Sequence, residues 1–144
     1  MKENRGAIVD TLCILNAHSL ATITSAVAGK NAAGSVTYFD TGGGFTEAKV
    51  VFDVGLVPVT ASSAVKIQIQ GSTTTSFATF VKLNELNLGA AARTGHSIAT
   101  TTGRYIQSIN NRFNDSLYRY IRAYIGANGT MGTGIKVGIV LASK

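Results

Sequence analysis

Apolar and polar positions alternate along much of this chain. In Ala64-Val-Lys-Ile-Gln-Ile-Gln70, Val65, Ile67 and Ile69 fall on one side and Lys66, Gln68 and Gln70 on the other, the period-two pattern of a half-buried strand. Ile135, Val137, Ile139 and Leu141 repeat it near the end of the sequence, and Phe77-Ala-Thr-Phe-Val-Lys-Leu83 predicts a strand after a turn at Gly71 and Thr73 to Thr75. Shorter segments predict strands over Leu20 to Val27, Ser35 to Phe39, Lys49 to Val54, Gly95 to Thr100 and Arg104 to Ile109. Gly, Asn and Ser/Thr clusters separate them, as in sandwiches and barrels, and the total comes to about eight to ten strands.

One segment fits two patterns. From Phe113 to Ile125, helical spacing would gather Phe113, Leu117, Tyr120, Ile121 and Tyr124 into a stripe. Strand spacing would set Leu117, Ile121, Ala123 and Ile125 against Tyr118, Tyr120, Arg122 and Tyr124. Aromatic and β-branched content, the Gly126-Ala-Asn-Gly129 turn that follows and another strand at hairpin distance favour a strand. Arg119 would then share the apolar face and need a partner or a place near its rim.

Composition agrees with the pattern. The 144 residues include 12 Val, 12 Ile, 17 Thr and 16 Gly, a mixture suited to strands and tight turns, and their 45% hydrophobic and 14% charged content excludes a disordered or charge-dense chain. The length fits one all-β domain over residues 1–144, of the sandwich or barrel kind, with 1–10 as a flexible arm. Cys13 alone forms no internal disulfide, and with His18 and His96 it makes no four-ligand zinc set, so no metal or cofactor is expected. The uncharged run Thr11 to Gly29 contains Asn16, His18 and several hydroxyls, too polar for a bilayer span, and no clean apolar run precedes a cleavage site. Neither membrane insertion nor export is expected.

The net charge of +6 is uneven. Up to Glu85, Lys2, Arg5, Lys30, Lys49, Lys66 and Lys82 balance Glu3, Asp10, Asp40, Glu47, Asp53 and Glu85. From Leu86 onward, Arg93, Arg104, Arg112, Arg119, Arg122, Lys136 and Lys144 face Asp115 alone. Arginine pairs well with carboxylates and phosphates and is favoured in interfaces, so this half is expected to meet something acidic.

Tests for chemistry are mostly negative. Gly42-Gly-Gly44 leads into Phe45-Thr-Glu47 and a strand rather than a helix carrying a lysine, so it reads as a flexible turn and not a phosphate cradle. Gly129-Thr-Met-Gly132-Thr-Gly134 reads as a loop entering the last strand. His18-Ser19 and His96-Ser97 are adjacent residues, which on a strand point to opposite faces and cannot act as base and nucleophile. The acids show no spacing for paired-carboxylate work and read as solvated strand edges. Asn114-Asp-Ser116 and Asn128-Gly-Thr130 match the glycosylation sequon, which carries no chemistry without export.

One constellation stands out: Arg104, Tyr105, Arg112, Phe113, Arg119, Tyr120, Arg122 and Tyr124, with Tyr118 among them. Tyr and Arg anchor protein interfaces because they join broad contact area to directional hydrogen bonds. The plainer reading of the same residues is a strand with one core face. A stacking platform for nucleic acid would use them too, but no Lys/Arg cluster or RNA-binding sheet motif accompanies them, and no nucleic-acid partner is expected.

The order of features resembles the phage capsid cement proteins typified by the Bordetella phage cement protein family. The resemblance rests on Ile14-Leu-Asn-Ala-His-Ser-Leu20 before a Ser/Thr-rich segment, Tyr38-Phe-Asp40 before a Gly-rich turn, and Val65-Lys-Ile-Gln-Ile-Gln-Gly-Ser72 with Phe77 after it. Arg119-Tyr-Ile-Arg-Ala-Tyr-Ile125 and a Gly-rich approach to the final apolar strand complete it. It spans nearly the whole chain and is weakest at the N-terminal end and from Asn84 to Asn114. It implies a jelly-roll-like antiparallel β-sandwich, a capsid decoration protein without catalysis, made in the host cytoplasm and carried on the outer surface of an icosahedral head. Its partners would be the major capsid protein and itself, as a homodimer in preference to a homotrimer. A carbohydrate-binding jelly-roll module of a phage head or tail is the competing reading, suggested by Tyr118, Tyr120 and Tyr124.

Overall fold

The computed structural model describes residues 14–17, 21–58, 63–94 and 102–143, leaving aside the side chains of 92, 93 and 143. In chain order it contains β1 (Ile14–Asn16), β2 (Val27–Ala28), β3 (Phe39–Asp40), β4 (Glu47–Leu56), β5 (Ala64–Ser72), β6 (Val81–Gly89) and the helical turn α1 (Ala91–Thr94). There follow β7 (Gly103–Asn110), β8 (Arg112–Phe113), β9 (Ser116–Leu117), β10 (Tyr120–Ala127) and β11 (Lys136–Ser143). The protein is all-β, and the strands pair antiparallel.

The pairings nest. β1 pairs with β11, β2 and β3 with β10, β4 with β7, and β5 with β6, as in one long folded hairpin. Two further pairings, β11 with β4 and β10 with β5, roll that hairpin into a first sheet ordered β1-β11-β4-β7 and a second ordered β2-β10-β5-β6 with β3 also on β10. This is jelly-roll topology, the form that the resemblance implied, within the sandwich or barrel class that the alternating pattern predicted.

Alternation explains how the sheets stack. Val50, Phe52 and Val54 of β4 and Val137, Ile139 and Leu141 of β11 face Val65, Ile67 and Ile69 of β5 and Ile121, Ala123 and Ile125 of β10, forming one buried hydrophobic cluster. Two buried asparagines close its rims. Asn16 donates from Nδ2 to the Val137 carbonyl at 2.7 Å and accepts from the Lys30 backbone N–H at 3.1 Å. Asn111 accepts from the Thr46 N–H at 2.8 Å and donates to the carbonyls of Gly44 at 2.8 Å and Tyr118 at 3.1 Å, which fixes the Gly-rich turn against β8 and β9.

Several sequence expectations need correction. The single strand over Phe113 to Ile125 is a two-residue hairpin, β8–β9, followed by β10, because Asn114 and Asp115 both adopt positive φ (48° and 64°) and reverse the chain. β10 and β11 do not form a hairpin, since the loop between them crosses from the second sheet to the first. The strand expected from Phe77 begins at Val81: Ser72, Thr74 and Ser76 bond local backbone and one another and hold 73–80 as a loop. Between Ala21 and Val27 there is an Ile23–Ile135 bridge rather than a strand, and Ser35 to Phe39 is reduced to a Lys30–Val36 bridge ahead of β3. With these divisions the described residues contain eleven named strands, four of them two residues long. The expected strand Gly95 to Thr100, the arm 1–10, Cys13, His18 and His96 lie outside the described residues.

Candidate interaction surface

Strand register sorts the arginine–aromatic set into three places. Arg104 and Tyr105 lie on β7 of the first sheet, Arg112 and Phe113 on the β8–β9 hairpin, and Arg119, Tyr120, Arg122 and Tyr124 on or just before β10. Tyr105 packs against the core cluster and so is not an outward contact residue. Leu117 and Tyr118 lie outside the clean alternation, which begins at Tyr120.

Of the acids expected as solvated strand edges, Asp40 and Asp53 have exposed side chains on β3 and β4, and each is also the partner of an arginine. The Arg104 guanidinium binds Asp53 through Nε at 2.7 Å, and Arg119 grips Asp40 with Nε and Nη2 at 2.8 and 3.0 Å. Arg119 thus has the partner it was expected to need. Its hydrogen bond, joined by that of the Gly42 N–H, holds the Asp40 carboxyl below its ordinary range, while both arginines are raised by their carboxylates. Gly42, at φ 80°, and Gly43, at φ 93°, make a turn, as expected of Gly42-Gly-Gly44, though hydrogen bonds from the Gly42 N–H to Asp40 and from Asn111 to the Gly44 carbonyl hold it in place.

On the outer face of the second sheet, register places three rows across β6, β5 and β10: Asn87, Lys66 and Gly126; Glu85, Gln68 and Tyr124; Lys82, Gln70 and Arg122. A bulge between Ile69 and Gln70 tightens the last row. Gln70 is only 1% exposed despite its place on the polar face, because Arg122 and the 73–80 loop cover it. Hydrogen bonds run one way along these rows. Arg122 Nε donates to Gln70 Oε1 at 2.9 Å, Gln70 Nε2 to Gln68 Oε1 at 3.0 Å, and Gln68 Nε2 to Glu85 Oε2 at 3.4 Å. Burial pushes the Glu85 carboxyl up, but bonds from Asn87, Lys82 and Gln68 outweigh it and hold it low.

Aromatic rings surround the Arg122 guanidinium: Phe77 at 4.4 Å from its centroid, Tyr124 at 5.6 Å and Phe80 at 6.0 Å. Burial lowers the Arg122 pKa, opposed in part by Tyr124. Phe77 is 4% exposed at φ 51°, a strained backbone for a bulky residue, and its ring also meets Tyr38 at 6.4 Å. Tyr38 in turn packs edge-on against Tyr120 at 5.4 Å. Phe77, Phe80, Tyr38 and Gln70 were missing from the sequence-based set, since only the fold brings 70–80 onto β10.

Two other surfaces carry exposed apolar groups. At the hairpin end, Arg112 stacks 5.2 Å from the Phe45 ring, and Phe45 and Phe113 are 50% and 41% exposed. Across the outside of the first sheet, Ile14, Val140, Val51 and Ile106 lie in register on four successive strands, with Ile106 56% exposed. A groove of about 310 Å³ is lined by Asn16, Thr22, Thr24 and Lys30 among others and includes none of the arginine–aromatic set. Among the described residues, no three His, Cys, Asp or Glu side chains gather at metal-binding distance, and no helix is long and apolar enough to cross a membrane. Comparison with family models, with curated proteins and with solved structures finds no match.

Proposed function

We propose that this chain is a structural virion protein, a capsid cement that binds the outer surface of an icosahedral phage head and ties major capsid subunits together without catalysis. The observation that carries the reading is the spread of exposed apolar anchors over three faces of one sandwich: Ile106 on the first sheet, Phe45 and Phe113 at one end, and Tyr38 and Phe80, beside the half-buried Arg122, on the second. Exposed apolar groups of this kind mark interaction sites. A tie between neighbours needs several contact faces, whereas a sugar-binding module concentrates its aromatics in one. Jelly-roll topology, common among capsid and lectin domains, suits the reading, as do the sequence segments that resemble cement proteins.

The apolar ladder Ile14–Val140–Val51–Ile106 is the surface that a sister copy would cover, giving a homodimer. Binding the assembled shell and not its free subunits stabilises the shell by mass action, and repeated copies multiply a modest contact. The test is a titration of the purified protein onto expanded heads assembled without it. Saturable binding and a higher disruption temperature are expected; heads that neither bind nor gain stability would overturn the proposal. Hits on a glycan array that vanish in Tyr120→Ala would move the assignment to carbohydrate binding.

A further inference from the structure

Arg122 has its surroundings built and its outer edge empty. Nε is committed to Gln70, whose amide is oriented through Gln68 by Glu85, and three rings pin the guanidinium plane. Neither Nη group has a hydrogen-bond partner among the described residues, and no carboxylate there lies within ion-pair distance. The neighbouring acids are already engaged: Glu85 by Lys82, and Asp40 by Arg119. Lys66, on the same face opposite Gly126, likewise has no partner among the described residues. A Cβ on Gly126 would meet only ordinary contacts, with Tyr124 Cε1 at 3.7 Å and the Lys66 carbonyl at 3.9 Å.

The Nη donors of Arg122 are not buried and so can be reached by a partner, and a planar guanidinium held through Nε fits a carboxylate through two parallel hydrogen bonds. We propose that Arg122 is the docking point for an Asp or Glu carboxylate on the partner's surface, with Lys66 as a second attraction. On the cement reading, on which this rests, that partner is the outward face of the major capsid subunit. A phosphate backbone fits less well, because the face offers two uncompensated cations rather than a row, and Glu85 and Asp40 lie on or beside it.

The experiment compares wild type, Arg122→Gln, Arg122→Lys and Lys136→Gln for binding to expanded heads, after thermal melts confirm folding. Arg122→Gln is expected to bind about thirtyfold more weakly. Arg122→Lys keeps the charge but loses the fork, and most of the affinity with it. Lys136→Gln, which removes the same charge from the first sheet, is expected to bind as wild type does. Equal binding by all four would overturn the docking role while leaving the cement reading intact. If wild type ignores the heads, the cement reading falls and a second readout decides the docking role: nuclear magnetic resonance titration with a hexaglutamate peptide and with oligothymidylate. Saturable shifts of the Arg122 side-chain signals and of the neighbouring Phe77 and Tyr124 ring signals with hexaglutamate, the ring shifts being lost in Arg122→Gln, support carboxylate docking. No shift, or tighter binding of the oligonucleotide, overturns it.

Discussion

Charge at the level of single residues looks different once the chain is folded. Arg104 and Arg119 come from the basic half, yet Asp53 and Asp40 of the balanced half neutralise them across 51 and 79 positions, so the asymmetry of the sequence overstates the free positive charge. Composition revealed the excess, but which cations stay unpaired depends on strand register, and register is not written in any local window. Asp40 and Glu85 have depressed pKa values in the fold, so their contribution is complete above the unfolded carboxyl range and is lost as pH falls through the folded values. Melting temperature is therefore expected to hold from neutrality to about pH 5 and to drop below about pH 4; Asp40→Asn should flatten that drop, and an unchanged acid slope would contradict it. Asn111 is fully buried and its side chain binds three backbone groups, so Asn111→Ala is expected to cost about 3 kcal/mol. A melt displaced by about 10 °C would register the loss, while a shift of a degree or two would refute it.

Among the elements, β5 and β11 were plain in the sequence because one face of each is core, which imposes strict alternation. The breaks were harder to see. Asn114-Asp115 is a pair that tolerates positive φ, a signal of a tight turn that the aromatic richness of its surroundings obscured. Phe77 gave no such signal, since the groups that meet its ring, Arg122 and Tyr38, come from other parts of the chain. Replacing Asp115 with glycine relieves the turn and should raise stability by about 0.5 kcal/mol, measurable by denaturant melts. Two glycines of the second-sheet region should respond oppositely to alanine. At Gly29 the new Cβ would collide with the Leu15 carbonyl, costing about 3 kcal/mol, whereas at Gly126 it meets ordinary contacts and should be tolerated. Equal melting temperatures for the two variants would show that β2 does not pass β1 as closely as described.

For the molecule as a whole, alternation and turn spacing were enough to indicate an all-β sandwich, but the nested pairing of β1 with β11 and β4 with β7 joins distant segments that carry no mutual label. The surfaces were likewise half legible. Arginine and tyrosine content pointed to contact, but the sequence could not show that Tyr105 turns inward, that Phe45 joins Arg112, or that Ile106 completes an apolar ladder. Burial of that ladder by a sister copy should be undone by Ile106→Lys, which sedimentation would detect as a shift from dimer to monomer; a wild-type protein that is already monomeric would remove the proposed self-contact. The most direct measurement of the central claim is a side-chain-resolution image reconstruction of the virus particle. The account expects this jelly roll outside the shell, bridging neighbouring subunits, with the β10 face and its arginine against them. A shell bearing no such density, or the chain found inside the head, would contradict it.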